Sequence, residues 1–170
     1  ASIIAAVGSE AAEDWCNGVV ANLARVPQGG DRDQIRAVAA GEGDVAIVNH
    51  YYLALMLDSD DPSEKVAAEA VRPVFPNQDD RGTHINICGA GVMQTAPNRE
   101  NAIRLLEFLA GAEAQAAFAA GNYEYPVATD AEAIEVVQSL GEFKADEVVV
   151  SELGNLNAEA VRIMDRSGWR

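Results

Sequence analysis

The stretch Asp44-Val45-Ala46-Ile47-Val48-Asn49 decides the predicted fold, because it is a continuous apolar run bounded by turn residues. A strand buried on both faces has this pattern, and such strands belong to parallel or mixed sheets covered by helices. The run follows a short amphipathic segment that Asp31 is expected to cap, that turns Ile35 inward and that ends at Gly41. The succession of helix, glycine turn and buried strand is typical of an α/β fold.

Helical periodicity dominates the rest of the chain. Ser9 and Asn98 are of the residue types that cap helices, and each precedes apolar residues at three- and four-residue steps. Two short apolar runs, Val74-Phe75 and the run from Ile85 to Ile87, are predicted as further strands. The other predicted helices cover residues 1–7, 9–23, 53–57, 63–71, 98–111, 112–120 and 153–163.

The charge balance excludes several classes of partner. The 170 residues include 27 acidic and 12 basic ones, which gives a formal net charge of −15. Phosphate binding depends on lysine and arginine, so neither nucleic acid nor an anionic membrane surface is an expected partner. Hydrophobic residues make up 49% of the chain, enough for a core. No apolar run approaches the roughly 20 residues that span a bilayer, so no membrane insertion is expected.

The adjacent tyrosines Tyr51 and Tyr52 are the candidate functional residues, because they follow the predicted strand 45–48 and precede a predicted helix. Ligands of open α/β sheets lie beyond such strand ends. A phenol, with a pKa of about 10, stays ionised near neutral pH only beside a strongly charged Lewis acid. Hard anionic oxygens match a hard cation such as Fe(III). The alternative, which the dipeptide alone favours, is an aromatic pair packed over the strand end.

Other residues of metal-binding type carry weaker predictions. His50 is a candidate ligand or a donor behind the ligands, but a solvated loop histidine is favoured, and His84 is predicted to be partly buried and structural. The segment 58–61 lacks the glycine and the closing glutamate of a calcium loop, so a plain acidic turn is favoured. Cys16 and Cys88 match no zinc or redox spacing. They form either one disulfide or two buried thiols, and the thiols are favoured.

Three further features are weaker candidates for a site. The segment Gly89-Ala90-Gly91 has only part of a phosphate-binding pattern and no helix after it, so close packing or a hinge is favoured. Arg32 and Arg36 are candidates for neutralising an anion, although surface solvation is favoured. The sequence has no Gly-x-Ser-x-Gly, no HExxH and no credible Cys–His pair. Nothing in these motifs demands an enzyme.

Six stretches distributed along the chain form a recognisable set. They are Gly29-Gly30-Asp31-Arg32-Asp33-Gln34-Ile35-Arg36, Asn49-His50-Tyr51-Tyr52-Leu53, Phe75-Pro76-Asn77-Gln78, Gly89-Ala90-Gly91-Val92, Ala96-Pro97-Asn98-Arg99-Glu100-Asn101-Ala102 and Gly121-Asn122-Tyr123-Glu124-Tyr125-Pro126-Val127. In this order they resemble the ferric-ion-binding periplasmic proteins of bacterial ABC importers. The resemblance extends to Leu153-Gly154-Asn155 and Asp165-Arg166-Ser167-Gly168-Trp169, and so covers nearly the whole chain.

The resemblance implies a two-lobed fold, periplasmic-binding-protein-like and of the class II type, with a mixed sheet flanked by helices and an incomplete second lobe. Residues 1–82 would be a second-lobe α/β segment that carries the tyrosine pair. Residues 83–130 would be a first-lobe return segment with a hinge strand. Residues 131–170 would be a carboxyl-terminal helical segment that packs back on the second lobe.

The resemblance also implies a function. Tyr51 and Tyr52 fall on the family's adjacent tyrosine ligands, so Fe(III) would be held by their phenolates, with or without a synergistic anion. The protein would be exported, periplasmic or extracellular, and would deliver iron to the permease of an ABC importer. Tyr123 and Tyr125 are expected to be packing residues. The alternatives are another ligand on the same fold (a polyamine, thiamine or an organic anion) and, less favoured, a small hydrolase or transferase that uses His50.

The chain departs from the family in its length. Family members are considerably longer, and this chain resembles their carboxyl-terminal half and opens inside a predicted helix. We therefore expect a piece of a longer protein that has lost any export signal and pairs with the missing amino-terminal half or with a second copy of itself. Two phenolates alone would leave most of the coordination sphere to water or buffer anions, so iron binding by this piece alone stays open.

Overall fold

The computed structural model describes residues 1–169, and within them the chain forms nine α-helices. Every predicted helix is present, with ends shifted by a few residues, and α8 is an addition. None of the helices in the described part of the chain combines the length and the apolar character needed to cross a bilayer. The helices are α1 Ser2–Val7, α2 Ser9–Ala21, α3 Asp31–Ala39, α4 His50–Leu57, α5 Pro62–Glu69, α6 Arg99–Ala110, α7 Ala112–Asn122, α8 Glu135–Gln138 and α9 Val150–Ser167.

The chain divides into two compact units that alternate along the sequence. Unit 1 contains α1, α2 and α9, and unit 2 contains α3 to α8. The predicted division into lobe segments 1–82, 83–130 and 131–170 stays a prediction. Unit 1 comprises Ala1–Gly29, Phe75–Ile85 and the chain from Phe143 onward, and unit 2 comprises Gly30–Val74 and Asn86–Glu142.

Unit 1 is built around the packing of α1, α2 and α9. Its buried core cluster consists of Ile4, Ala12, Cys16 and Ile163. Trp15 on α2 is 43% exposed. Its ring stacks on that of Trp169, with centroids 5.7 Å apart. Arg166 joins α9 to α2 by donating to both carboxylate oxygens of Glu13, at 2.9 and 2.5 Å.

A parallel bridge between Thr83 and Ala145 is the only β pairing within residues 1–169. The Thr83 amide donates to the Lys144 carbonyl at 2.8 Å, and the Asp146 amide donates to the Thr83 carbonyl at 2.8 Å. Gly82 precedes the bridge with φ +89°, and a Cβ at this position would lie 2.6 Å from the Ala145 carbonyl oxygen. Both the backbone conformation and the close approach therefore require glycine.

Unit 2 is organised around α4, which packs against α3, α5 and α8. The side chains of Leu53, Ala54 and Met56 are buried, so one short helix supplies much of this unit's core. Arg36 on α3 donates through Nε to Glu64 on α5 at 3.1 Å, which ties these two helices together. The position of α4 is thus fixed from several sides.

The three predicted strands are wrong for the described chain, and the mixed sheet expected from them is not confirmed. Val45 is 85%, Ile47 68% and Val74 84% exposed, so these side chains are not in a core. The run from Ile85 to Ile87 is also without regular structure. A strand is stable only when its backbone groups pair with a neighbour. Within residues 1–169 these apolar runs have no such neighbour, which is why their composition alone mispredicts them.

Two predicted helix caps are displaced by one residue. Gly8 and not Ser9 is the N-cap of α2, and Gly30 and not Asp31 is the N-cap of α3. In α3 the Gly30 amide donates to the Asp33 carboxylate at 2.8 Å. Because Asp33 satisfies that amide, the carboxylate of Asp31 is left to make a different contact.

Candidate metal site

The tyrosine pair lies in the first turn of α4. The helix begins at His50, with Asn49 as its N-cap in an extended conformation, so Tyr51 and Tyr52 are its second and third residues. The sequence predicts them between a strand and a helix, whereas the structure places them inside the helix. The Tyr52 amide donates to the Asn49 carbonyl at 3.3 Å, which closes this first turn.

The two phenol groups meet although they are neighbours on a helix. Their ring centroids are 4.5 Å apart with planes inclined by 45°. Both side chains are half-buried. Helical side chains lean toward the amino end of the helix, and in the first turn no preceding turn obstructs them. The pair therefore brings two phenol groups together at the start of α4.

The electrostatic surroundings of Tyr51 disfavour its phenolate. Burial raises the pKa of Tyr51, and the hydrogen bond with Tyr52 and the negative charges of Asp31 and Glu124 raise it further. The phenol is therefore protonated in the metal-free protein. The same arrangement of oxygens and carboxylates attracts a cation, and a highly charged cation would reverse the preference by stabilising the phenolate.

Asp31 fixes the residue that precedes the tyrosine helix. Its carboxylate accepts a hydrogen bond from the Asn49 backbone amide at 2.7 Å and another from the Asn49 side-chain amide at 3.0 Å. The sequence predicts Asp31 only as a helix cap, so this role is missed. No local signal reveals it, because the contact joins residues 18 positions apart that only the tertiary fold brings together.

His50 is not the solvated loop residue that the sequence favours. It is the first residue of α4 and is half-buried, with its ring 5.7 Å from that of Tyr51 and 4.9 Å from that of Tyr125. Its Nε2 is buried without a hydrogen-bond partner in the described chain. Burial lowers the pKa of His50, while a hydrogen bond to the Tyr123 backbone and the charge of Glu124 act in the opposite direction.

Acidic residues of segment 58–61 are engaged in contacts at the ends of helices. Asp58 accepts a hydrogen bond from the Tyr123 hydroxyl at 2.8 Å. Asp61 is the N-cap of α5 and accepts from both the amide and the hydroxyl of Ser63, each at 2.8 Å. Within residues 1–169 no group of three His, Cys, Asp or Glu side chains is arranged to hold a metal ion.

The remaining candidates do not join the tyrosine pair. Arg36 pairs with Asp33 at 2.7 Å as well as with Glu64, so it is committed within unit 2. His84 is exposed and not partly buried as expected. A Cβ at Gly89 or Gly91 would meet open space, so close packing does not explain these glycines, and the hinge stays a prediction.

The two cysteines are free thiols, as favoured by the sequence. Cys16 is buried in the core of unit 1. Cys88 is exposed, so the expectation of burial is wrong for this residue.

Comparison with curated proteins relates the chain to iron-uptake proteins. The iron uptake protein A1 of Synechocystis sp. is 47% identical over 170 residues, a match that covers 100% of this chain and 47% of that protein. The chain thus spans about half the length of the curated relatives that it matches.

Two solved structures share the fold closely. A Trichodesmium protein (IdiA, FutA) in complex with iron and citrate ligands has a TM-score of 0.95 and 48% identity, over 99% of this chain and 54% of that one. The ferric binding protein from Campylobacter jejuni has a TM-score of 0.92 and 41% identity, again over 99% of this chain and 54% of the other. The expected solute-binding-protein fold is confirmed in outline.

The family assignment rests on a family model that matches more than half of the chain. Residues 2–144 match the family model described as bacterial extracellular solute-binding protein. A family of binding proteins agrees with the prediction of a binding module and not an enzyme. The chain belongs to the bacterial extracellular solute-binding protein family.

Proposed function

We propose that this chain is part of an exported, periplasmic protein that binds Fe(III) through the phenolates of Tyr51 and Tyr52. The bound iron would be delivered to the permease of an ABC importer. The observation that carries the proposal is the contact between the two phenol groups, whose ring centroids are 4.5 Å apart at the start of α4. The iron named for the Synechocystis and Trichodesmium relatives supports the choice of metal.

The chemistry of the pair suits a trivalent cation. Phenolates are hard anionic donors, which hard cations prefer. Because the surroundings raise the pKa of Tyr51, only a cation of high charge would remove its proton near neutral pH. A phenolate must stay deprotonated to bind, so acid would release the metal. Binding and release would therefore follow the protonation of the tyrosines.

The other iron ligands would come from outside the pair. Two phenol oxygens leave coordination positions for a synergistic anion and for groups of another polypeptide segment. The citrate in the Trichodesmium structure supports an anion. The second source would be the amino-terminal half that the longer relatives have, or a second copy of this chain. Pairing with that segment would also supply the neighbours with which the exposed run 45–48 could form a sheet.

Visible absorption tests the metal and its ligands together. Fe(III) added to the wild-type protein should produce a phenolate-to-iron charge-transfer band. Tyr51→Phe and Tyr52→Phe should each weaken or shift the band, and the double variant should abolish it. Tyr125→Phe is the matched control, because its hydroxyl already donates to the Gly141 carbonyl at 3.0 Å, and it should keep the band. A band that persists in the double variant would refute the assignment.

A second candidate ligand is an organic cation such as a polyamine. The negative charges of Asp31 and Glu124 near the ring of Tyr51 favour it, since ammonium groups bind to carboxylates and aromatic faces. Titration calorimetry with Fe(III) and with spermidine separates the two. Spermidine binding that survives Tyr51→Phe and Tyr52→Phe, without iron binding in the wild type, would favour this candidate.

A further inference from the structure

The segment from Tyr123 to Tyr125 contacts the tyrosine helix at both of its ends. The Tyr123 hydroxyl donates to the carboxylate of Asp58, the C-cap of α4, at 2.8 Å. The ring of Tyr125 lies 4.9 Å from that of His50, the first residue of the same helix. One short segment outside α4 therefore contacts the amino and carboxyl ends of the helix that carries Tyr51 and Tyr52.

The contact with Asp58 has an electrostatic reason. A carboxylate at the carboxyl end of a helix faces the negative end of the helix dipole, which is unfavourable. A hydroxyl donor offsets that repulsion. The hydrogen bond to Asp58 and the nearby charge of Asp60 raise the pKa of Tyr123, so its hydroxyl keeps the proton that it donates. Tyr123 is thus a hydrogen-bond donor to α4.

The backbone of Tyr123 indicates that its side chain is needed. The residue is the C-cap of α7 in the left-handed conformation, with φ 60° and ψ 35°. Glycine is the usual residue at such a position, because a side chain there costs free energy. A bulky residue persists in this conformation when its side chain makes compensating contacts. Here that contact is the hydrogen bond to Asp58.

The contact at the amino end of α4 is itself anchored. Tyr125 places its ring 4.9 Å from that of His50. Its hydroxyl donates to the carbonyls of Gly141 at 3.0 Å and Val137 at 3.3 Å. The side of the first turn that carries His50 is therefore held by a segment that is itself anchored.

We propose that Tyr123 is a positioning residue for the metal site: it holds the carboxyl end of α4, while Tyr125 packs against the amino end, and together they fix the helix that presents Tyr51 and Tyr52. Its role in iron binding rests on the proposed function, whereas its role in holding α4 does not. Fixing that helix keeps the two phenol groups together before a metal arrives. A preorganised pair loses less freedom on binding and releases its ligand more slowly.

Tyr123→Phe is the direct test, because it removes the hydroxyl and keeps the ring and the backbone. Ser63→Ala is the matched control. It also removes a hydroxyl that donates to a carboxylate in unit 2, that of Asp61 at 2.8 Å, but Ser63 lies on α5 and not next to α4 in the chain. We expect Tyr123→Phe to speed amide hydrogen exchange in α4 severalfold and the release of Fe(III) roughly fivefold. Ser63→Ala should leave both rates unchanged.

Two further variants separate positioning from simple capping. Tyr123→Gly relieves the backbone strain but also removes the hydroxyl, so it should speed amide hydrogen exchange in α4 as much as Tyr123→Phe does. If Tyr123→Gly leaves the exchange rate in α4 at its wild-type value, the proposal is wrong. Asp58→Asn keeps an oxygen acceptor and should retain most of the protection of the α4 amides against hydrogen exchange. Asp58→Ala removes the acceptor and should speed this exchange as much as Tyr123→Phe does. Combining Tyr123→Phe with Asp58→Ala should add little to either change, and full additivity would also overturn the proposal.

The iron-binding readout and the amide-exchange readout test the two proposals separately. If the wild-type protein shows no iron band, the proposed function is wrong, but exchange in α4 still decides whether Tyr123 holds the helix. If the wild type binds iron and Tyr123→Phe alters neither exchange nor release relative to Ser63→Ala, the positioning role is wrong and the iron site stands.

Discussion

The carboxylate of Asp31 accepts hydrogen bonds from both amide groups of Asn49, the backbone amide at 2.7 Å and the side-chain amide at 3.0 Å. Asp31 is the first residue of α3, and Asn49 is the N-cap of α4. The contact therefore links the starts of two helices and fixes the backbone immediately before the tyrosine pair. It also places a negative charge near the phenol of Tyr51.

Replacing Asp31 by alanine should loosen the start of α4. The change leaves the two amides of Asn49 without their acceptor, which should lower the free energy of unfolding by about 1–3 kcal/mol. Urea unfolding followed by circular dichroism measures this loss. Arg32→Ala, an exposed neighbour on the same helix, is the control and should change stability by less than about 0.5 kcal/mol. Equal stability of the two variants would contradict the role given to Asp31.

Removing the hydroxyl of Tyr52 should lower the pKa of Tyr51. Tyr52→Phe deletes the neighbouring hydroxyl, which after burial is the next cause that raises the pKa of Tyr51. In the wild type, the protonated phenol stabilises the fold fully below pH 10.0, and this contribution is lost as the pH rises through the folded pKa. Carbon-13 NMR of labelled tyrosine follows the titration. An unchanged or higher pKa for Tyr51 in Tyr52→Phe would show that the two phenols do not interact.

His50 should make the protein less stable in acid. Burial lowers its pKa below 6.5, so the neutral ring stabilises the fold fully above pH 6.5, and this contribution is lost as the pH falls through the folded pKa. Proton NMR of the imidazole measures the titration, and His84→Gln assigns the signal, since the chain has two histidines. A pKa of His50 at or above its ordinary value would contradict the buried position.

Glycine at position 82 should be irreplaceable, in contrast to another glycine in unit 1. Gly82→Ala forces a Cβ to within 2.6 Å of the Ala145 carbonyl oxygen at φ +89°, which should cost about 2 kcal/mol or more. Gly154 lies inside α9, where a Cβ meets open space, so Gly154→Ala should stabilise the protein by up to about 1 kcal/mol. Thermal unfolding compares the two variants, and a tolerated Gly82→Ala would contradict the close approach.

The helices could be predicted from the sequence because their signals are local. Residues three and four positions apart form one face of a helix, and the resulting elements α2, α6 and α9 are present with small shifts at their ends. The strand prediction for 45–48 rested on composition, which reports a preference for burial. Whether a strand forms depends on a neighbour that is distant in sequence, and within residues 1–169 that neighbour is absent.

The candidate site could be predicted only in part for the same reason. The dipeptide Tyr51-Tyr52 is visible in the sequence, and the helical pattern after it predicts a helix next to the pair, but the structure places the pair inside that helix. The contacts of Asp31 with Asn49 and of Tyr123 with Asp58 join residues 18 and 65 positions apart. No spacing rule signals such contacts, because they arise only when the helices of unit 2 have packed.

The aromatic residues are divided between the units in a way that helps spectroscopy. Both tryptophans, Trp15 and Trp169, belong to unit 1, and all four tyrosines belong to unit 2. Indole emission excited at the red edge of the absorption spectrum therefore reports on unit 1 alone, while near-ultraviolet phenol absorbance follows unit 2. Each half of the molecule carries its own intrinsic probe, so the order in which the units melt can be observed without attaching a dye.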